Sequence, residues 1–171
     1  MKQLKTLKVG LRTLKTATAV FLCLALLPNE PFFACLTCVF CIQDTVENSI
    51  QMGKNRALGT IWGSSIGIIV MFSFKFLTTN IHNEFFKKLI IYILIALGII
   101  VVIHCSHAFF NLPGAINISC IAFLAVTTAH AFTDPISYAV NRSVETLLGV
   151  VIGIIVNLTI HPPKVNKEET S

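Results

Sequence analysis

Two arginines carry the chemistry this chain offers. Arg56 and Arg142 each follow an asparagine, Asn55 and Asn141, and each pair opens a sixteen-residue stretch that occurs twice. Asn55-Arg56-Ala57-Leu58-Gly59-Thr60-Ile61-Trp62-Gly63-Ser64-Ser65-Ile66-Gly67-Ile68-Ile69-Val70 returns 86 positions later as Asn141-Arg142-Ser143-Val144-Glu145-Thr146-Leu147-Leu148-Gly149-Val150-Val151-Ile152-Gly153-Ile154-Ile155-Val156, with nine positions identical. A guanidinium is planar, always charged and able to bind a carboxylate through two parallel hydrogen bonds. Two of them aimed at one narrow vestibule would draw organic anions into it. An arginine at the end of an apolar run also snorkels to the membrane interface as an anchor, but anchoring does not explain why the Asn-Arg pair recurs.

Glu145 stands where the first copy has Gly59. An acid one turn inside an apolar helix is costly without a partner. Arg142, three residues earlier on the same helical face, is the expected partner. The alternative is that Glu145 takes up a proton as an anion moves. Lys15 stands one turn from Arg12 at the cytoplasmic end of the first apolar run. Glu47, Asn55 and Asn141, with Asp44, Asn48 and Asp134, read as polar gates at the two ends or as helix caps.

Other chemistries find little support. The six cysteines all lie inside apolar runs, which is no disulfide framework. Cys35-x-x-Cys38-x-x-Cys41 has the look of a cluster-binding run, but in a helix its sulfurs fall on one side and read as small packing residues. His104 and His107 lie one turn apart with no third ligand near them in sequence. There is no nucleophile elbow, phosphate loop or zinc-protease motif, so no enzyme, metal or cofactor is expected.

The elements that must position these residues are membrane helices. The chain is 54 % hydrophobic and 12 % charged, half the charge of an average soluble domain. Its net charge of +5 owes much to Lys2, Lys5, Lys8, Arg12 and Lys15, an acid-free start without aromatic residues. Such a start suits anionic lipid heads rather than nucleic acid. A basic lead into a short apolar core also resembles a cleaved leader, but no small-x-small site follows, and the segment reads as a retained span.

Apolar runs predict six spans, near 13–27, 32–42, 57–76, 89–104, 115–131 and 140–160. The second is shorter than the ~20 residues a crossing needs, and its polar extension over 43–49 is expected to complete it. A re-entrant hairpin of the first two runs is the alternative. The fourth, aliphatic all round, is the expected lipid-facing wall. Copies three spans apart run in opposite directions, so the fold class is an all-α integral membrane protein, six transmembrane helices as two inverted three-helix repeats. Inverted repeats commonly hold a site near the bilayer midplane. Glycines four apart, Gly59, Gly63 and Gly67 in one copy and Gly149 and Gly153 in the other, allow close helix packing, and the halves are expected to meet along these faces.

The organisation that follows is a basic tail over 1–12, a membrane domain over 13–163 with repeats about 13–77 and 87–160, and a polar tail over 164–171. With six spans and an inner N-terminus, nine Lys and Arg residues fall inside and four outside. That places both termini in the cytoplasm of a multi-pass protein of the cell membrane.

Several motifs together resemble the membrane domain of the bacterial aromatic acid exporter family, within the fusaric acid resistance superfamily. They are Leu14-Lys15-Thr16-Ala17, Pro31-Phe32-Phe33-Ala34, Gln43-x-Thr45-Val46-Glu47-Asn48-Ser49, Asn55-Arg56-x-x-Gly59-Thr60-x-x-Gly63 and Asp134-Pro135-x-x-Tyr138-Ala139-x-Asn141-Arg142-x-x-Glu145-Thr146-x-x-Gly149. The resemblance spans residues 12 to 163. It implies a six-helix unit that pairs into a homodimer and exports organic anions, typically aromatic carboxylates, with Lys15, Arg56 and Arg142 at the basic motif positions. Members usually continue past the Pro-Pro pair into a cytoplasmic helical domain, whereas this sequence ends at Ser171, and Asp44 stands where proline is expected.

Overall fold

The computed structural model describes residues 10–27, 31–79, 81, 83–110, 112–129 and 134–160. The basic residues Lys2, Lys5 and Lys8, residues 28–30 and 130–133, where turns are expected, and the residues from 161 on lie outside them. The described chain is helical: α1 (Leu11–Leu26), α2 (Phe32–Cys41), α3 (Val46–Thr78), α4 (Glu84–Phe110), α5 (Pro113–Leu124) continuing into a π-helical turn (Ala125–Ala129), and α6 (Pro135–Thr159).

Local sequence sets these boundaries. The Thr45 hydroxyl accepts the Asn48 amide at 3.2 Å and starts α3, and the Asp134 carboxylate does the same for α6 through Ser137 at 3.2 Å, with Pro135 pre-set in the first turn. Pro113 opens α5 in the same way. In the π-turn the backbone carbonyls of Phe123 and Leu124 are taken up by the hydroxyls of Thr127 and Thr128, at 2.9 and 2.6 Å.

Among the described residues, three helices, α3, α4 and α6, are long and apolar enough to cross a membrane. At ~1.5 Å per residue, α2 spans only about 15 Å. The polar extension expected to lengthen it does not do so, because the helix ends at Cys41 and the chain turns through 42–45. Instead Val46 to Arg56 form the first turns of α3, which begins eleven residues before the apolar run does. Polar residues fill helical positions as well as apolar ones do; the apolar run marks depth in lipid, not the end of the helix.

The glycine faces do not meet each other. Gly59, Gly63 and Gly67 of α3 lie against Ala115, Ser119 and Phe123 of α5, and Gly149 and Gly153 of α6 lie against Ala34 and Cys38 of α2. Each long glycine helix therefore receives the short second helix of the other half. The registers correspond: Gly63 and Gly149 are 86 residues apart, and their partners Ser119 and Ala34 are 85 apart. Between them α3 and α6 run antiparallel, Ser49 beside Asn157 and Gly53 beside Val150 and Ile154.

α4 exposes Phe85, Tyr92, Ile93, Leu97, Ile100 and Phe109 and buries only a seam through Ile91, Gly98, Val102 and Ser106. Its apolar outer wall agrees with its all-round aliphatic composition. Cys23, Cys38 and Cys41 are buried; Cys38 packs beneath Gly153 and donates its thiol to the Cys35 carbonyl at 3.1 Å.

Candidate functional site

The two repeat arginines converge on one helix. Phe33 and Phe40 lie seven residues apart in α2, two turns along the same side. Arg142 reaches Phe33 from α6 with its guanidinium carbon 4.0 Å from the ring centre, and Arg56 reaches Phe40 from α3 at 4.1 Å. Arg142 is 6 % exposed and Arg56 is half-buried. The negative ring faces offset part of the cost of holding two cations in a partly dry place, by ~0.5–2 kcal/mol each.

The hydrogen bonds stop short of satisfying these groups. Arg142 donates from Nη1 to the Tyr138 hydroxyl at 3.3 Å, and the Tyr138 ring meets Phe33 edge-on. Among the described residues, the Nε of neither arginine has an acceptor. The expected Arg142–Glu145 ion pair does not form: the ion pairs within the described residues are Arg12–Asp44 and Lys87–Glu84, both at the surface. Arg142 extends along α2 toward the aromatic ring and Tyr138 instead. Glu145 is itself buried, 8 % exposed, at the position where α3 has the glycine that admits α5.

Beside Phe33 lies a recess of about 500 Å³ lined by Val20, Leu24, Pro31, Phe32, Phe33 and Cys35. The Phe33 ring that lines this recess is also the one that meets the Arg142 guanidinium. The Asn55 side chain, 8 % exposed, closes over Gly114 in the first turn of α5, so tightly that a Cβ at Gly114 would strike its amide. The first Asn-Arg pair is thereby fixed at the start of the other half's short helix, where the helix dipole favours negative charge.

The other predicted residues are elsewhere. Asn141 and Glu47 are exposed, Glu47 in the first turn of α3, where an acid complements the helix dipole. Lys15 is half-buried and bonds to Asn157 near the end of α6, about 22 Å along that helix from Arg142 at ~1.5 Å per residue. Sequence reasoning missed Phe33, Phe40, Tyr138 and Asn157. The first two were signalled by their seven-residue spacing and Tyr138 by its place one turn before Arg142. Asn157 is the first residue after the repeat and the polar substitute for Met71 in the other copy.

No curated protein and no solved structure matches the chain. A family match does exist, over residues 17–156. It takes in the short apolar helices, both glycine helices and both arginines, and it points to membrane efflux or transport of some kind. The chain belongs to the fusaric acid resistance protein-like family.

Proposed function

We propose that the protein exports small amphipathic organic anions, aromatic carboxylates foremost, across the cell membrane through a passage between two inverted three-helix halves. The observation that carries this reading is the pair Arg56 and Arg142, drawn from opposite halves onto one aromatic face with both Nε groups unbonded. A carboxylate fits the unfilled donors, and the recess beside Phe33 suits the apolar part of the same molecule. Inverted halves are supported by the exchange of short helices and by the matched 86- and 85-residue registers. Short apolar helices at corresponding places in two halves are the usual mark of a transport site. In this reading the nine inner basic residues hold both termini in the cytoplasm, two copies pair as a homodimer among membrane lipids, and Glu145 carries the coupled proton.

The test is uptake of a labelled aromatic carboxylate into proteoliposomes. Replacing Arg56 and Arg142 together with glutamine should abolish it, as should bulky residues at Gly63 and Gly149. A scaffold that only dimerises would tolerate the arginine change and not the glycine change. A passive channel would respond to voltage alone, whereas a proton-coupled carrier follows the pH gradient.

A further inference from the structure

A network of polar contacts joins the helices at one end of the bundle, where α1 begins and α6 ends. The Lys15 ammonium donates to the Asn157 side-chain oxygen at 2.8 Å and its backbone oxygen at 3.4 Å. The Asn157 amide donates in turn to Ser49 Oγ at 2.6 Å and to the Gln43 carbonyl at 3.1 Å. Ser49 Oγ accepts the Gln43 amide at 3.2 Å and donates to the Thr45 carbonyl at 3.1 Å. Asn157 is 4 % and Ser49 0 % exposed. One asparagine thus ties α1 and the turn between α2 and α3 to α6, with every polar group of its amide satisfied.

The corresponding joint in the other half is built differently. The residue 86 positions before Asn157 is Met71, which packs with Phe74 of its own helix on Ile91 of α4, among Ile90, Leu94 and Ile95. That joint is apolar and offers no polar partner that an anion could take over. The Lys15–Asn157 joint has a different weakness. A neutral amide oxygen is a poorer acceptor for an ammonium than a carboxylate is, because it offers a partial negative charge where the carboxylate offers a full one.

We propose that Asn157 is a positioning residue that clasps Lys15 until an organic carboxylate takes the ammonium from it. Release frees the Lys15 end of α1 from α6 while Asn157 stays bonded to Ser49 and Gln43; further along α1, Ala19 and Cys23 remain packed with Val156. Only this end of the bundle opens by exchange of partners; the Met71–Ile91 joint does not. The inference rests on the anion reading above and adds to it a second contact for the carboxylate, remote from the arginines.

The test uses the full chain in lipid nanodiscs, with spin labels at the exposed residues Thr13 of α1 and Leu158 of α6 and benzoate as the probe. Saturating benzoate should add a longer-distance population in the otherwise unaltered protein and none in Lys15→Gln. Asn157→Asp turns the clasp into an ion pair. It should hold the single short distance and slow benzoate transport at least tenfold, with benzoate affinity at the arginines changed less than twofold. Benzoate binding with no longer population, or Asn157→Asp transporting at the unaltered rate, overturns the clasp alone. Failure of every form to bind benzoate overturns the anion reading and the release mechanism together.

Discussion

Gly149 in α6 lies directly against the backbone of Ala34 in α2, with no room between them for a Cβ. Gly63 in α3 stands in the same relation to Ser119 in α5. Because the opposing atoms are backbone, they cannot rotate away as a side-chain tip would. Alanine at either position forces the helices apart, at ~1–3 kcal/mol for overpacking, more than the ~1 kcal/mol that alanine gains over glycine in helix propensity. In a detergent melt of the purified protein, Gly63→Ala and Gly149→Ala should each lower Tm by several degrees. Gly10→Ala, where nothing lies within 4 Å, should leave it unchanged.

The rings of Phe33 and Phe40 support cations in different surroundings, which predicts unequal effects. Arg142 is 6 % exposed, whereas Arg56 keeps partial contact with its surroundings and solvates itself better when its ring is lost. Phe33→Leu should therefore destabilise the protein by about 2 kcal/mol and Phe40→Leu by about 1 kcal/mol, in keeping with desolvated and partly exposed cation–π contacts. Tyr138→Phe removes the hydroxyl that accepts from Arg142 and should add about 1 kcal/mol of destabilisation. Denaturant or thermal melts of the three variants check the order.

How much of this was legible beforehand follows from what a repeat can and cannot encode. The 86-residue recurrence pointed to Arg56, Arg142 and the glycine faces without any coordinates, because backbone contact at Gly63 and Gly149 is written in the residues that lack side chains. It could not say that these faces would receive α5 and α2 rather than each other, since a glycine shows that something comes close and not what. Helix α3 started eleven residues early because Thr45 caps it there, a local signal that the apolar run overrode. The Arg142–Glu145 pair was inferred from three-residue spacing alone. An arginine has reach enough to leave its own helix, and here the Phe33 ring across the interface draws it away.

Glu145 tests whether transport is coupled to protons. It is a buried acid in a long apolar helix, 8 % exposed, and acids at such positions commonly serve proton relays. If it carries the proton, Glu145→Gln mimics the protonated state permanently. Downhill benzoate flux through proteoliposomes should persist, while accumulation driven by an imposed pH gradient should vanish. Retention of gradient-driven accumulation in Glu145→Gln would assign the proton to another group.

The Arg12–Asp44 pair gives the opposite expectation from its neighbour Lys15–Asn157. Both tie α1 to the same end of the bundle, but Arg12 and Asp44 are 58 % and 80 % exposed in their side chains and meet at 3.4 Å. An ion pair so open to water is screened and loses in side-chain order what it gains in attraction. Asp44→Ala should leave Tm and transport unchanged, at low salt as at high. Asn157→Leu, which strands the Lys15 ammonium and Ser49 hydroxyl without their partner, should cost ~2–4 kcal/mol for unmet buried polar groups. Melting the two variants side by side separates a contact that holds the helices from one that only lies between them.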